Sequence, residues 1–354
     1  MDTINLIGSS RNLGLILGST LAAFVIVLIL AEPYTRFLKK FQFGQQITTE
    51  SSISKHKTPL FASLHKKKTG TPTMGGVLIW GSVLLVAFIS PLLSKLGLSN
   101  NHLINRAETY LPLFTLGMVA ILGLVDDILN VKKIGKAKGL PAIVKFIWLL
   151  VVSGIGAWWF HYKLDYDSIT LFNQSINIGA WYIPLFMFVF VGSANAVNIT
   201  DGLDGLAAGL TCLAFLCLAI ISYIHGLFIL TTLCGLIIGA TSAFLWFNVP
   251  PAKFFMGDTG SLTLGATMAV IAFLTDSVLV LPFIGFIFVI ETLSVIAQMI
   301  SKKLRKGKKI FHIAPVHHHF EYIGWPEFRV TMRFWMIGGF MAAFGLILHL
   351  AGIV

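Results

Sequence analysis

Apolar runs of about 20 residues recur from one end of this chain to the other, and a run of that length has few ways to fold. Inside a bilayer each backbone N–H and C=O must be satisfied without water, which a helix does alone and strands do only as a closed barrel. Barrel strands would alternate apolar and polar residues over about ten positions, whereas these runs are continuous and rich in Leu, Ile, Phe and Gly. With 56% hydrophobic and 12% charged residues, the 354 positions leave no stretch for a separate soluble unit. The expectation is an all-α polytopic membrane protein, a single domain over 1–354.

Ten spans are expected, at roughly 13–36, 73–95, 108–126, 141–160, 181–198, 204–222, 227–247, 260–275, 278–301 and 332–353. The first follows a short N-terminus and lacks a small-residue cleavage pattern, so it reads as a retained span. When alternate connections are assigned to opposite sides, 22 of the 26 basic residues fall together, leaving only Arg11, Lys95, Arg106 and Lys163 across the membrane. The positive-inside rule then makes the basic face cytoplasmic and puts both termini outside. The net charge of +11 thus belongs to loops beside the membrane, and no nucleic-acid partner is expected. Between spans four and five, Ile169, Leu171, Ile176 and Ile178 alternate around Asn173-Gln174, the pattern of a small external β-hairpin. Cys212, Cys217 and Cys234 lie in apolar runs, without metal or disulfide spacing.

This topology brings Asp126, Asp127, Asp201, Asp204 and Asp258 to cytoplasmic ends of spans, although none was used to build it. Asp126-Asp127 is expected at the end of the third span. There two carboxylates would oppose the helix dipole, and being about 100° apart they would have different jobs. Asn195 to Gly205 places two amides and two Asp-Gly steps between apolar runs. Asp201 and Asp204 would share a face if a helix began there, close enough for one divalent cation. A solvated turn would explain one Asp-Gly, but not Asn195, Asn198 and Thr200 as well.

Asn248 to Ser261 breaks the seventh span with two prolines, then presents Phe254 and Phe255, read as exposed aromatics suited to a planar base. Gly257-Asp258-Thr259-Gly260-Ser261 opens the next span, where free helix N–H groups would meet phosphate and Asp258 would hold magnesium. The competing reading is an N-capped helix with an interfacial aromatic belt. His65 to Gly76 combines cations, hydroxyls and glycines, a weak phosphate signal alone. Its lysines read equally as lipid-headgroup contacts. His317, His318 and His319 are consecutive on one helix and cannot all face one metal, so imidazoles hydrogen-bonding phosphate or carboxylate fit better. Glu291 inside the ninth span is either functional or packing glue, with Gln298 one heptad on.

Together these parts describe a basic, carboxylate-rich, magnesium-competent surface with aromatics for a base. They fit transfer of a phosphoryl-linked group from a nucleotide to a lipid phosphate. A transporter would instead put its charges near the midplane, and a membrane prenyltransferase gives no reason for the phenylalanines or the histidines.

Asp126-Asp127, Asn195 to Gly205, Phe254 to Ser261, Gly70-Thr-Pro-Thr-Met-Gly-Gly76 and above all Pro315-Val-His-His-His-Phe-Glu321 occur in the order found in one family. Through them the chain resembles the phospho-N-acetylmuramoyl-pentapeptide transferases over nearly its full length. The wider polyprenyl-phosphate hexose-1-phosphate transferases are similar in the aspartate motifs but not in the histidine loop. A GlcNAc-1-phosphate transferase of the same fold is therefore the nearest alternative.

The resemblance implies a Mg2+-dependent, multi-pass enzyme of the bacterial cytoplasmic (inner) membrane, often a homodimer. It would transfer phospho-MurNAc-pentapeptide from UDP-MurNAc-pentapeptide to undecaprenyl phosphate, a membrane lipid, giving lipid I and UMP for peptidoglycan. It further implies Asp258 as metal ligand and Asp126 and Asp127 as the pair at the lipid phosphate or metal, Asp126 being the choice for a base. Asn198, Asp201, Gly202, Leu203, Asp204 and Asn248 would line the uridine pocket, with Phe255 on uracil. Lys68 would meet phosphate, and His317, His318 and His319 the sugar or pyrophosphate. Ser261 and Gln298 complete the expected substrate contacts.

Overall fold

Residues 259–274 are apolar, small or hydroxylated on every side, and a helix without a polar face belongs inside a bundle. The structure is a computed structural model that describes residues 2–44, 68–96, 102–105, 108–133 and 139–353, with 2–11 and 93 as backbone alone. In it this helix is buried without a break from Thr259 to Leu274. In chain order the helices are α1 (Asp2–Lys40), α2 (Gly76–Lys95), α3 (Tyr110–Val131), α4 (Ala142–Lys163), α5 (Tyr182–Thr200) and α6 (Leu206–Ile224). They continue as α7 (Phe228–Asn248), α8 (Asp258–Leu274), α9 (Leu281–Ile284), α10 (Phe286–Leu304), α11 (Val316–Tyr322) and α12 (Glu327–Leu350). The central helix is α8, packed between α3 and α5 through glycines. A Cβ on Gly123 of α3 would stand 2.4 Å from Thr259 Cα, and one on Gly265 of α8 would stand 2.3 Å from Ser193 O in α5. Such backbone contact fixes α8 along its axis, and hence the position of Asp258 at its first turn.

Seven described stretches are long and apolar enough to cross a membrane: Asn12–Lys40, Tyr110–Val131, Ala142–Lys163, Gly179–Thr200, Leu206–Ile224, Phe228–Asn248 and Glu327–Leu350. Gly76–Leu92 and Asp258–Leu274 are shorter apolar helices. The chain is an all-α, multi-pass membrane protein. The run expected over 278–301 is not one helix: α9 is a single turn with Pro282 in it, and Gly285 (φ −99°, ψ 30°) separates it from α10.

Between α4 and α5, β1 (Ser168–Leu171) and β2 (Gln174–Asn177) pair antiparallel, with Ile169 opposite Ile176. Phe172 and Asn173 turn the hairpin with φ of 51° and 56°, the two positive values a two-residue turn of this hand requires. Beneath it Phe160, Tyr182, Phe186 and Phe273 form a buried aromatic cluster.

Two boundaries move in ways that matter for the site. The third span was expected to stop at 126, but α3 continues to Val131. Asp126 and Asp127 therefore lie inside a helix and not at its C-terminus, because Ile128, Leu129 and Val131 continue the apolar pattern beyond them. The last helix begins at Glu327 and not near 332, which brings an acidic residue into its first turn. His65 to Lys67 of the basic stretch, with Lys55, Lys57, Arg106, Lys136 and Lys138 of the charge count, lie outside the described residues.

Candidate active site

At the α3–α8 junction Asp127 accepts the N–H groups of Asp258 (3.1 Å) and Thr259 (3.1 Å), closing the N-terminus of α8 from a neighbouring helix. Buried hydrogen bonds to backbone N–H groups contribute about 0.5–1.5 kcal/mol each, so this side chain locks the two elements together. The expectation of free N–H groups here is corrected: Gly260 and Ser261 also donate, to Gly257 O. Gly257 permits the arrangement, with φ +75° and a Cβ position only 2.4 Å from Asp127 Oδ2.

Its neighbour Asp126 faces elsewhere, as their angular separation requires. Asp126 Oδ1 accepts the N–H of Leu140 at 2.6 Å, and Oδ2 lies 3.2 Å from Lys145 Nζ. The same ammonium is 3.0 Å from Asp258 Oδ2. Asp258 Oδ1 accepts from Asn198 Nδ2 at 2.8 Å, and that nitrogen also reaches Ser261 Oγ at 2.9 Å. Asp126, Asp258, Asn198 and Ser261 thus form one polar centre around Lys145.

Asp201 and Asp204 do not share a helix face. The second helix begins only at Leu206, after Gly205 at φ 76°, so both lie in the intervening turn. Asp204 faces Lys68, whose Nζ is 2.6 Å from its Oδ1, and accepts the N–H of Ala252 at 3.0 Å. Glu327 joins them: its Oε1 accepts the Asp204 N–H at 2.6 Å and also contacts Lys68 Nζ. Burial opposes the Lys68 charge, but Glu327 and Asp204 more than offset it and hold the ammonium above its ordinary range. Burial, then the charges of Asp258 and Asp204, push Asp201 up to about 7. Leu203 is buried in the same turn, and Asn195 faces outward, bonded to its own helix at Val191 O. A cavity of about 470 Å³ lined by Glu32, Lys39, Thr69, Thr71, Ala252 and Lys253 adjoins this turn without being lined by Asp201 or Asp204.

Asn248 is buried and ties two loops together, accepting from Gly205 N–H (3.0 Å) and donating to Phe254 O (2.9 Å). Phe254 itself is not exposed. It packs against Phe244 and Phe247 at ring separations of 5.4 and 5.8 Å, filling the space under the loop. Phe255 is the half-buried one, with Lys68 Nζ 5.8 Å from its ring centre. The glycine run before α2 is strapped to this loop, Gly75 N–H donating to Phe255 O (2.8 Å) and Gly76 N–H to Met256 O (2.9 Å).

The three histidines diverge. His317 is fully buried, its Nδ1 3.0 Å from Glu291 Oε2. His318 Nδ1 pairs with Glu321 at 2.7 Å. His319 stacks on His312 and accepts its backbone N–H at 3.3 Å. A Cβ on Gly202 would stand 2.3 Å from His317 Nε2 and 3.3 Å from His318 Nε2, so the histidine loop closes on the Asp201-Gly202 turn. Gln298 accepts the N–H groups of Ile310 (2.9 Å) and Phe311 (3.1 Å) and donates to Phe311 O (2.8 Å), bracing the approach to that loop.

Lys145 and Glu327 were not singled out in the sequence. Lys145 is a lone charge in the first turn of an apolar helix and Glu327 opens another beside Arg329, where interfacial cations and acids are ordinary. Only their partners in other elements, Asp126 and Asp258 for Lys145, and Lys68 and Asp204 for Glu327, give them a role.

Among the described residues no three His, Cys, Asp or Glu side chains stand together as a metal cage. Magnesium needs none, since it is held by one or two carboxylates together with substrate phosphates. Asp126 and Asp258 supply hard oxygens that already converge on one cationic partner, and that donor set fits the ion.

A helical membrane chain in which a lysine bridges two aspartates of different helices beside a polar turn belongs to a recognisable class. Residues 110–276 match the model for glycosyl transferase family 4. Residues 68–79, the strap before α2 with the first turn of that helix, match the phospho-N-acetylmuramoyl-pentapeptide-transferase signature 1. The phospho-N-acetylmuramoyl-pentapeptide-transferase of Geobacillus sp. (strain WCH70) is 40% identical, over 92% of this chain and 94% of its own length. That of Clostridium perfringens (strain 13 / Type A) is 42% identical over 89% and 92%, and that of Thermodesulfovibrio yellowstonii 40% over 92% and 90%. The chain belongs to the phospho-N-acetylmuramoyl-pentapeptide-transferase family.

Proposed function

We propose that this chain transfers phospho-MurNAc-pentapeptide from UDP-MurNAc-pentapeptide to undecaprenyl phosphate, giving lipid I and UMP. The observation that carries the reading is the Asp126–Lys145–Asp258 centre, flanked by the Lys68–Asp204–Glu327 network and closed by the histidine loop. In the transfer an oxygen of the lipid phosphate forms a bond to the sugar-linked phosphorus, the bond to the UMP oxygen breaks, and UMP leaves. Asp126 orients the acceptor and takes its proton, if one is present at that oxygen. Asp258, held by Asn198, would hold Mg2+, which would supply positive charge to offset that of the pyrophosphate. Asp127 acts as the cap that fixes α8.

Lys68 exchanges its carboxylate partners for donor phosphate, and Phe255 stacks on the uracil once that ammonium has moved. His317 Nε2, without a hydrogen-bond partner among the described residues, is a donor or acceptor for the sugar or pyrophosphate. The chain then has ten spans, both termini outside, the site on the cytoplasmic face of a bacterial inner membrane and the hairpin outside. It acts as a homodimer.

The test offers UDP-MurNAc-pentapeptide and UDP-GlcNAc in parallel to the purified protein, with Mg2+ and undecaprenyl phosphate, and measures UMP. Release from the first donor alone is expected. Release from UDP-GlcNAc alone would keep the chemistry and overturn the substrate.

A further inference from the structure

Far from the carboxylates, two histidines from different helices meet. From the carboxylate end α6 runs from Leu206 to Ile224, with His225 following its last turn, and α12 runs from Glu327 to Leu350, with His349 in its last turn. Their Nε2 atoms are 3.3 Å apart, with ring centres at 5.2 Å. We propose that His225 and His349 form a two-histidine site for a divalent transition-metal ion of the zinc, nickel or copper class, at the bundle end opposite the carboxylates. The inference rests on this geometry and not on the proposed transferase reaction.

The separation of the two nitrogens is the main observation. Two imidazoles on one tetrahedral zinc, each at about 2.0–2.1 Å, stand about 3.3 Å apart. At 3.3 Å the two nitrogens can share one proton only in a long N–H···N bond, and the same separation is the one a bridging metal requires. His225 is exposed, so an ion reaches the pair from water. Both histidines sit at helix C-termini, whose partial negative charge favours a cation. Asp276, itself accepting the Thr170 N–H at 3.4 Å, lies close enough for its charge to act on His349. Among the described residues no third His, Cys, Asp or Glu completes a cage, so water fills the remaining positions. An imidazole-only protein donor set selects zinc, nickel or copper over magnesium and calcium, which take oxygen. The bound ion would cross-link the outer ends of α6 and α12.

The chelator-stripped full chain in detergent is titrated with ZnCl2, and separately with NiCl2, by calorimetry and by thermal unfolding. One equivalent is expected, with a melting temperature raised by several degrees at about 100-fold excess over Kd. MgCl2 at millimolar concentration leaves the binding unchanged. His225→Ala and His349→Ala each weaken it more than about tenfold, and the double substitution adds nothing further. His225→Ala keeps its metal-free melting temperature near that of the parent, which shows that it folds. No binding to the parent, or binding that survives either substitution, overturns the site.

Discussion

The contact between Gly202 and the histidine loop is purely steric, which makes Gly202→Ala an informative perturbation. Gly202 has no positive φ that an alanine would strain. The added methyl would lie 2.3 Å from His317 Nε2 and 2.9 Å from Cε1, where ordinary contact begins near 3.4 Å. Something must therefore move by roughly 1 Å. His317 cannot yield easily, because it is fully buried and in ring contact with His318 at 4.1 Å. Overpacking of this kind costs about 1–3 kcal/mol, and a 1 Å displacement of a positioning group costs about 100-fold in rate. UMP release and thermal unfolding would be measured beside Gly192→Ala, whose methyl meets nothing within 4 Å. The double variant Gly202→Ala/His317→Ala should be no less stable than His317→Ala alone and should not regain activity. Activity of Gly202→Ala within about twofold of the parent would refute the closed contact between turn and loop.

The adjacent phenylalanines should separate cleanly: Phe254→Ala, in the packed loop, lowers stability by about 3–5 kcal/mol, whereas Phe255→Ala chiefly raises the KM for the nucleotide donor. Asp201, raised to about 7, keeps in the folded state a proton that an unfolded aspartate releases near pH 4. Its contribution to stability therefore falls as pH rises from about 4 to about 7, and Asp201→Asn should flatten that part of a melting-temperature profile. Glu327→Gln removes one of the two carboxylates that hold the Lys68 charge. The affinity of Lys68 for its proton should fall, and kcat/KM for the donor should drop by about tenfold, with the loss deepening at alkaline pH. A profile unchanged in shape would show that Glu327 only packs.

Much of the site was legible because its motifs are short, polar and set between apolar runs. Asp126-Asp127, Asn198 to Asp204, Asp258 to Ser261 and the pair His317-His318 do come together, whereas His319 turns to His312, and the helical angle between the paired aspartates does send them to different partners. What the pattern could not supply were contacts between distant parts of the chain. Lys145 is 113 positions from Asp258 and Glu327 is 259 from Lys68, so neither pair leaves a local mark. The direction of a loop side chain was equally hidden: Phe254 and Phe255 are alike as residues, and only the presence of Phe244 and Phe247 beneath the loop decides which is buried. The N–H groups of α8 looked free because a cap from another helix cannot be read from the sequence around Asp258. The end of α3 was misplaced because polarity at Asp126-Asp127 reads as a boundary, although the bundle contains it.

Asp258→Asn tests the polar centre most directly. It keeps the size of the side chain and a hydrogen-bonding oxygen but removes the charge that pairs with Lys145 and would hold Mg2+. UMP release would be followed across a magnesium titration, beside Mn2+ binding by electron paramagnetic resonance and a melting curve as evidence of folding. The account predicts a melting temperature close to the parent's, weakened Mn2+ binding, and release reduced by about 1000-fold at all magnesium concentrations. A folded Asp258→Asn protein that releases UMP within about tenfold of the parent would contradict it.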